Sequence, residues 1–355
     1  MNNKTVNFAL IGTGVIGKNY LRSVKTINNA AITAVCDTNE TALKEAISGT
    51  PGMFGTTDYR KLLEKSDIDA VIVATNDQSH RMITVDALKA GKHVLCEKPM
   101  ALTDEDCRAM LEAERKTKAK LMIGQVCRYT PSFKKAKELV EKGEIGDLFF
   151  VESEYAHDYS KIPGMKGWRT DEVNLRNPVT GGGCHAVDLL RWIAGNPTEV
   201  CAYANRKSLT DWPVDDCTVA IMKFPNNVIG KVLTSIGCQR GYTMRTCLYG
   251  TKGTIIVENQ KPQFTVFKTE FCGCDHAFDS SMKAIEMKIP VQVNNHNLAA
   301  EVKEFAECIA EDRPVVTDGV EGATTVAVCN AIVNSANSGE KAEPDYSFFQ
   351  KNNNN

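Results

Sequence analysis

The chain has 355 residues, 43% of them hydrophobic and 24% charged, the mix of an ordinary globular protein with room for two domains. Its 42 basic and 44 acidic residues leave a net charge of -2 and are spread along the chain, without the clustered Lys/Arg face that nucleic acid or an anionic membrane requires. Disorder and coiled coil run against this composition, and a small-molecule ligand is expected, with neither nucleic acid nor membrane as partner.

Residues Met1 to Thr5 lead into a strand-like run and not a signal peptide, and no segment reaches the apolar length of a membrane span, so a cytoplasmic protein is expected. From Val6 to about Met122, short apolar runs (Val6 to Ile11, Ala31 to Val35, Ala70 to Thr75, His93 to Cys96, Lys120 to Gly124) alternate with helical stretches. That alternation predicts an α/β Rossmann domain with a doubly wound parallel sheet over residues 1–125. Thr103, followed by Asp104, Glu105 and Asp106, has the cap and acidic first turn of a helix start.

Gly12-Thr13-Gly14-Val15-Ile16-Gly17 follows the first strand and opens a helix, a glycine pattern that lets backbone approach a pyrophosphate. The second strand ends near Asp37, twenty residues after Gly17, where a carboxylate can accept hydrogen bonds from the adenosine ribose. A 2′-phosphate would meet like charge there, and Thr38 and Asn39 supply no arginine, so NAD is favoured over NADP unless Arg60 folds back. Thr75 to His80 follows the third apolar strand and is expected over the cofactor, through Thr75, Asn76 and His80. His80 is equally readable as a helix-entry residue bonded to its neighbours.

Glu97-Lys98-Pro99 closes the fourth apolar run and puts an ammonium where such sheets bind ligands, so Glu97 and Lys98 join the cofactor set. In isolation it reads more readily as a solvated pair at a strand end.

After Thr130-Pro131 a helical run reaches Lys142. Beyond Gly146 longer alternating strands follow: Phe149 to Tyr155, Thr198 to Ala204, Thr218 to Phe224, Val228 to Ser235, Thr254 to Glu258 and Gln263 to Lys268, with Asn226-Asn227 as a hairpin turn. Helical patterns at Asn297 to Ala310 and Gly322 to Ala336 complete an α+β second domain, residues 126–355, with a large, mostly antiparallel open sheet. The Asn352 to Asn355 tail reads as disordered.

Gly181-Gly182-Gly183 lets backbone lie close to something, and the next run, from Cys184 to Ile193, reads as a helix with His185 in its first turn. His185 could be a structural histidine with Asp188 as its helix-face partner, or a substrate-side residue. Trp168-Arg169 reads as a sugar-stacking and hydroxyl-binding pair, and Arg128, Tyr155 and Asp188 complete the candidate substrate set with Lys98 and His185.

The thirteen cysteines are odd in number and mostly lie within apolar runs, as at Cys36 and Cys329, which fits buried thiols better than disulfides. Cys272-Gly273-Cys274-Asp275-His276 looks like metal ligands, but no second Cys pair stands at zinc spacing, and no metal is expected.

The glycine loop, Thr75 to His80, Glu97-Lys98-Pro99, Gly143-Glu144-Ile145-Gly146, Trp168-Arg169, His185-Ala186-Val187-Asp188 and Tyr249-Gly250-Thr251-Lys252-Gly253 occur in an order that resembles the glucose-fructose oxidoreductase and inositol dehydrogenase (Gfo/Idh/MocA) family. The resemblance implies Lys98 as the catalytic lysine, His185 as the substrate-side histidine, and a homodimer or homotetramer formed through the open sheet. One departure is Gly181, where many of the family's dehydrogenases carry an aspartate. It leaves His185, assisted by Lys98, as the base.

The expected reaction moves a hydride between a nicotinamide and a secondary hydroxyl or ketone of a sugar, glycoside or cyclitol, the hydroxyl proton going to His185 while Lys98 stabilises charge on the same oxygen. Redox-neutral, NAD-dependent glycoside cleavage is the alternative that Gly181 keeps open. A non-catalytic NAD-binding regulator is the third, opposed by the presence of both Lys98 and His185.

Overall fold

The computed structural model describes residues 5–50, 52–162, 176–270 and 283–349. Trp168, Arg169, the Cys272 to His276 cluster and the Asn352 to Asn355 tail lie outside them.

The N-terminal segment builds a six-stranded sheet from β1 (Val6–Ile11), β2 (Ala30–Cys36), β3 (Phe54–Thr56), β4 (Ala70–Val73), β5 (His93–Glu97) and β6 (Leu121–Gly124), in the order β3-β2-β1-β4-β5-β6. Every neighbouring pair is parallel. Helices α1 (Val15–Val24), α2 (Glu40–Ser48), α3 (Arg60–Leu63), α4 (Asp77–Lys89) and α5 (Asp104–Arg115) connect the strands. β4 is buried along its length, as its unbroken Ala-Val-Ile-Val run requires of a strand covered on both faces. The Thr103 hydroxyl accepts the amide of Asp106 at 3.1 Å and caps α5 as its sequence predicts. Strand order reverses between β1 and β4, the place where doubly wound sheets open a ligand crevice at their carboxyl ends.

From Cys127 onward the chain forms α6 (Pro131–Glu141), β7 (Leu148–Ala156), α7 (Cys184–Ala194), β8 (Glu199–Asn205), β9 (Cys217–Lys223), β10 (Ile229–Ser235), β11 (Thr243–Gly250), β12 (Gly253–Glu258), β13 (Gln263–Glu270) and β14 (Lys283–Pro290). The strands make one sheet, β14-β13-β12-β11-β7-β10-β9-β8, antiparallel throughout except for β7 with β10. Asn226 and Asn227 both take positive φ, +57° and +60°, and turn β9 into β10, as the Asn-Asn signal predicts. Three strands are not apparent in the sequence for identifiable reasons. β3 has only three residues, β11 carries Arg245 and a terminal Gly250, and β14 is an edge strand whose two lysines and one glutamate blunt its apolar signal.

The late helices α8 (Leu298–Ala310) and α9 (Gly319–Ser338) correct the expected single boundary at residues 125/126. One compact unit consists of residues up to Val126, Asn297–Ala327 and the chain from Asp345; the other consists of Cys127–His296 and Val328–Pro344. The second domain is therefore not the continuous stretch 126–355. The cause is α8, whose apolar face packs on α1, β1, β2 and β5 and sets Phe305 against Phe8 with ring centroids 6.2 Å apart. Among the described residues no helix is long and apolar enough to cross a membrane.

Candidate functional site

In the first unit the glycine loop has the form its sequence demands. Gly12 has φ +96°, and a Cβ there would lie 2.4 Å from the carbonyl oxygen of Ala74; one at Gly17 would lie 2.0 Å from the carbonyl oxygen of Gly12. Gly12 thus brings the loop against Ala74 and Thr75, and Gly17 lets α1 close on the end of β1. Gly14 is different, since its missing Cβ faces open space at the start of α1, and no side chain caps that end. The free amides of the first turn, with no acidic residue beside them, suit a pyrophosphate. Thr13 is buried, whereas Val15 is 77% exposed at the helix mouth and Ile16 is half-buried behind it.

Asp37 stands at the end of β2 and holds this loop. Its Oδ2 accepts the amide and hydroxyl of Thr13, both at 2.8 Å, and its Oδ1 accepts the amide of Asn39 at 2.8 Å. A carboxylate has about four acceptor sites, which leaves capacity for a ribose hydroxyl. Arg60 lies 3.8 Å from both Asp58 and Asp86 and stacks over Tyr59, so its guanidinium is engaged within its own neighbourhood. Asn76 starts α4 and accepts the Ser79 hydroxyl at 2.5 Å, while Thr75, whose backbone nitrogen faces Gly12, donates its hydroxyl to the Asn76 carbonyl.

Lys98, half-buried, follows β5 at the same carboxyl edge of the sheet, and the Lys98–Pro99 peptide is cis. The buried His80 sets its Nδ1 2.9 Å from the Pro99 carbonyl, tying α4 to this turn. Glu97 points inward: its Oε2 accepts the Lys98 amide at 3.1 Å and its Oε1 accepts the Tyr20 hydroxyl at 2.9 Å. That hydroxyl is also 3.0 Å from Glu301 on α8. One hydroxyl proton cannot serve two carboxylates, so one of the acids holds a proton. Burial, and then the charge of Glu97, push the Glu301 carboxyl well above its ordinary range, which identifies Glu301 as the protonated partner. The chain runs from Glu301 to Tyr20 to Glu97 and ends on the backbone of Lys98.

The second unit holds His185 in the first turn of α7, after a π-helical turn, Val179–Gly183. The triple glycine serves packing against side chains of the sheet. A Cβ on Gly182 would lie 2.3 Å from the Tyr155 ring of β7, and one on Gly183 would lie 2.2 Å from the Thr234 hydroxyl of β10. At Gly181, the departure from the family pattern, a Cβ would lie 2.6 Å from Nε of Arg176, so a guanidinium fills the space an aspartate side chain would enter.

Tyr155 lies parallel to His185, with centroids 6.5 Å apart and 30° between planes, and bonds Tyr159 through their hydroxyls at 2.9 Å. Tyr242 and His157 close the group, 5.1 Å apart, and His296 lies 5.4 Å from His185 by ring centroids. Burial pushes the Tyr155 and Tyr242 phenols well up, so both keep their protons, and burial lowers His157 toward its neutral form. The buried Nδ1 of His157 has no hydrogen-bond partner among the described residues, an orphan that a ligand hydroxyl could satisfy.

Asp188, three residues after His185, takes part in a buried ion pair. It receives Arg128 in a bidentate bridge, Nε to Oδ2 at 2.9 Å and Nη2 to Oδ1 at 2.7 Å, with Arg191 3.6 Å away, all three buried. Cys127, His157, Tyr242 and His296 carry no motif, and among them only His157 has a local signal, the density of aromatic and histidine residues between Tyr155 and Tyr159.

Residues 6–125 match the model of the oxidoreductase family with an NAD-binding Rossmann fold, and residues 133–256 match the Gfo/Idh/MocA C-terminal domain. The inositol 2-dehydrogenase 2 of Saccharopolyspora erythraea is 29% identical over 255 residues, which cover 71% of this chain and 73% of that one. A 1,5-anhydro-D-fructose reductase of Ensifer adhaerens is 27% identical over 351 residues, covering 95% and 98%. In fold, the chain is similar to levoglucosan dehydrogenase in complex with NADH, at a TM-score of 0.84 and 23% identity, covering 96% of this chain and all of that one. With two family models matched across more than half its length, and with an NAD-binding Rossmann unit whose glycine loop has the matching geometry, the chain belongs to the Gfo/Idh/MocA oxidoreductase family.

Proposed function

We propose that this protein is an NAD-dependent dehydrogenase that oxidises a secondary hydroxyl of a sugar, glycoside or cyclitol. The observation that carries the reading is the seat of Lys98 at the carboxyl edge of the parallel sheet, on a turn fixed by His80 and by the Glu97–Tyr20–Glu301 chain. The glycine loop, the uncapped start of α1 and Asp37 would hold the dinucleotide, and a bound nicotinamide supplies the hydride acceptor. Lys98 holds negative charge on the substrate oxygen, and His185 takes the hydroxyl proton at its ring. Tyr155, Tyr242 and His157 offer ring faces and hydroxyl or imine groups suited to the mixed apolar and polar surface of a sugar ring. The named relatives act on inositol and on an anhydro-sugar, which supports the same substrate class.

The outer face of the open sheet leaves Tyr203, Val219, Ile221 and Ile229 exposed on β8, β9 and β10. We assign that face to self-association as a homodimer or homotetramer, to be read by light scattering coupled to gel filtration.

The test is a screen of cyclitols, aldoses, 3-keto sugars and glycosides with NAD and NADP separately, following nicotinamide absorbance and product together. One NADH per oxidised product is expected. Lys98→Ala should lose about 100-fold or more in kcat, of the order an oxyanion donor supplies, while NADH affinity changes little. Wild-type turnover in Lys98→Ala, or cleaved glycoside without net NADH, would overturn the assignment.

A further inference from the structure

We infer that Cys127, His185 and His296 form a binding site for a single zinc-class divalent metal ion. Each residue offers one ligand atom, and the three atoms all lie within 4.8 Å of one another. They arrive from three separate parts of the second unit: Cys127 from the 3-10 turn at Val126–Tyr129, His185 from the first turn of α7, and His296 from the segment before α8. Three such groups meeting from positions 58 and 111 residues apart in the chain are not produced by helix periodicity or strand pairing.

The donor set selects the ion. One thiolate and two imidazoles, with no carboxylate, are soft and borderline ligands that suit zinc and its neighbours and not magnesium or calcium. Tetrahedral zinc at about 2.3 Å to sulfur and about 2.0 Å to nitrogen spaces its ligands roughly 3.3–3.6 Å apart, so closure needs about 1 Å of side-chain movement. His296 is the exposed member and can supply it, whereas Cys127 and His185 are buried. The surroundings have the features of a supporting shell. The Tyr242 hydroxyl lies 3.2 Å from Nε2 of His296, and the Met244 sulfur lies 3.7 Å from that of Cys127. Three protein ligands leave a fourth position, the mark of a reactive and not a purely structural zinc, and the exposed side at His296 gives it access.

The site goes beyond the dehydrogenase reading and can stand or fall without it. Where both hold, His185 has its lone pair in the metal bond and takes no proton. A substrate hydroxyl in the fourth position is acidified by the metal and loses its proton to solvent; its carbinol hydrogen still leaves with two electrons to the nicotinamide. Product, reduced nicotinamide and one released proton balance as before.

The experiment loads the full-length protein with zinc or cobalt(II), removes excess by dialysis, and measures bound metal by mass spectrometry and the cobalt spectrum. The expected result is about one ion per chain, tetrahedral visible bands, and a thiolate-to-cobalt band in the near ultraviolet. Cys127→Ser should abolish that band, and His296→Ala should weaken metal affinity at least tenfold, in the range of losing a ligand or its support. NADH binding reports that each variant is folded, and His296→Ala, at an exposed position, carries the test if Cys127→Ser does not fold. A variant with Cys272→Ser, Cys274→Ser and His276→Ala should keep both the ion and the band. The proposal is overturned by retention of less than a tenth of an ion in wild type, by a cobalt spectrum without the thiolate band, by undiminished binding in both ligand variants, or by loss of the ion in the Cys272 variant. NADH formation from a polyol is scored separately on the same samples. A metal-free but active enzyme sinks the site alone, and a metal-bound protein that oxidises no substrate sinks the dehydrogenase reading alone.

Discussion

The first unit concentrates its chemistry in contiguous motifs, while the second assembles its candidate groups from scattered positions. Gly12 to Gly17, Thr75 to His80 and Glu97 to Pro99 each follow one parallel strand, so the fold delivers them to one edge of the sheet without further instruction. His185, by contrast, meets Tyr155 and His296 because a π-turn ending in three glycines seats α7 against β7 and β10. A dinucleotide demands the same backbone path each time and leaves a spacing rule. A substrate demands only side chains that converge, and any strand or turn can supply them.

The largest effect expected from breaking the second region comes from its buried ion pair. Asp188→Ala removes the bidentate carboxylate from the buried Arg128, with the Arg191 guanidinium nearby, and should cost about 3–5 kcal/mol in urea unfolding. The double variant Arg128→Met with Asp188→Leu should regain most of that. If the double variant is stable and still turns over polyols, the pair is structural; if stability returns without turnover, Arg128 or Asp188 also acts on substrate.

In the first region the corresponding break is Gly17→Ala. Its Cβ would meet backbone, the Gly12 carbonyl at 2.0 Å, with no flexible side chain to move aside. A cost of about 3 kcal/mol, the upper end of overpacking, is expected in unfolding. NADH affinity, read by fluorescence, should weaken at least tenfold in parallel. Gly14→Ala is the matched control, because that Cβ enters open space, and its effect should fall on NADH binding with unfolding unchanged.

The two regions also differ in how much of them the sequence discloses. The parallel sheet, Asp37 and Lys98 follow from local patterns because each lies within one strand-loop-helix unit. The roles of Arg128 and Asp188 do not, since 60 residues separate a pair whose only link is spatial. Glu301 is hidden for the same reason. It reads as one acid in an amphipathic helix, and nothing local says that α8 returns to the first unit and buries it against Tyr20. Even inside the motif, Glu97 has a second reading, as it holds Tyr20 and the Lys98 amide through both its oxygens. Tyr20→Phe removes the hydroxyl between the acids and should cost about 1–3 kcal/mol, the penalty for leaving buried polar groups unsatisfied. It should also lower kcat more than it raises the KM for NAD, if the chain positions Lys98.

The smallest effect and the sharpest sign belong to Glu301→Gln. Burial and Glu97 raise the Glu301 carboxyl, so the folded protein keeps a proton that the unfolded chain releases above its ordinary value of about 4.3. The group's contribution to stability is therefore complete below that pH and declines as pH rises toward the folded value. Glutamine cannot ionise, and its amide can still donate to the Tyr20 hydroxyl, so Glu301→Gln should stay near wild type in mild acid and lose less stability on going from pH 5 to pH 8. Parallel melting temperatures for the two proteins across that range would mean that Glu301 is ionised in the fold.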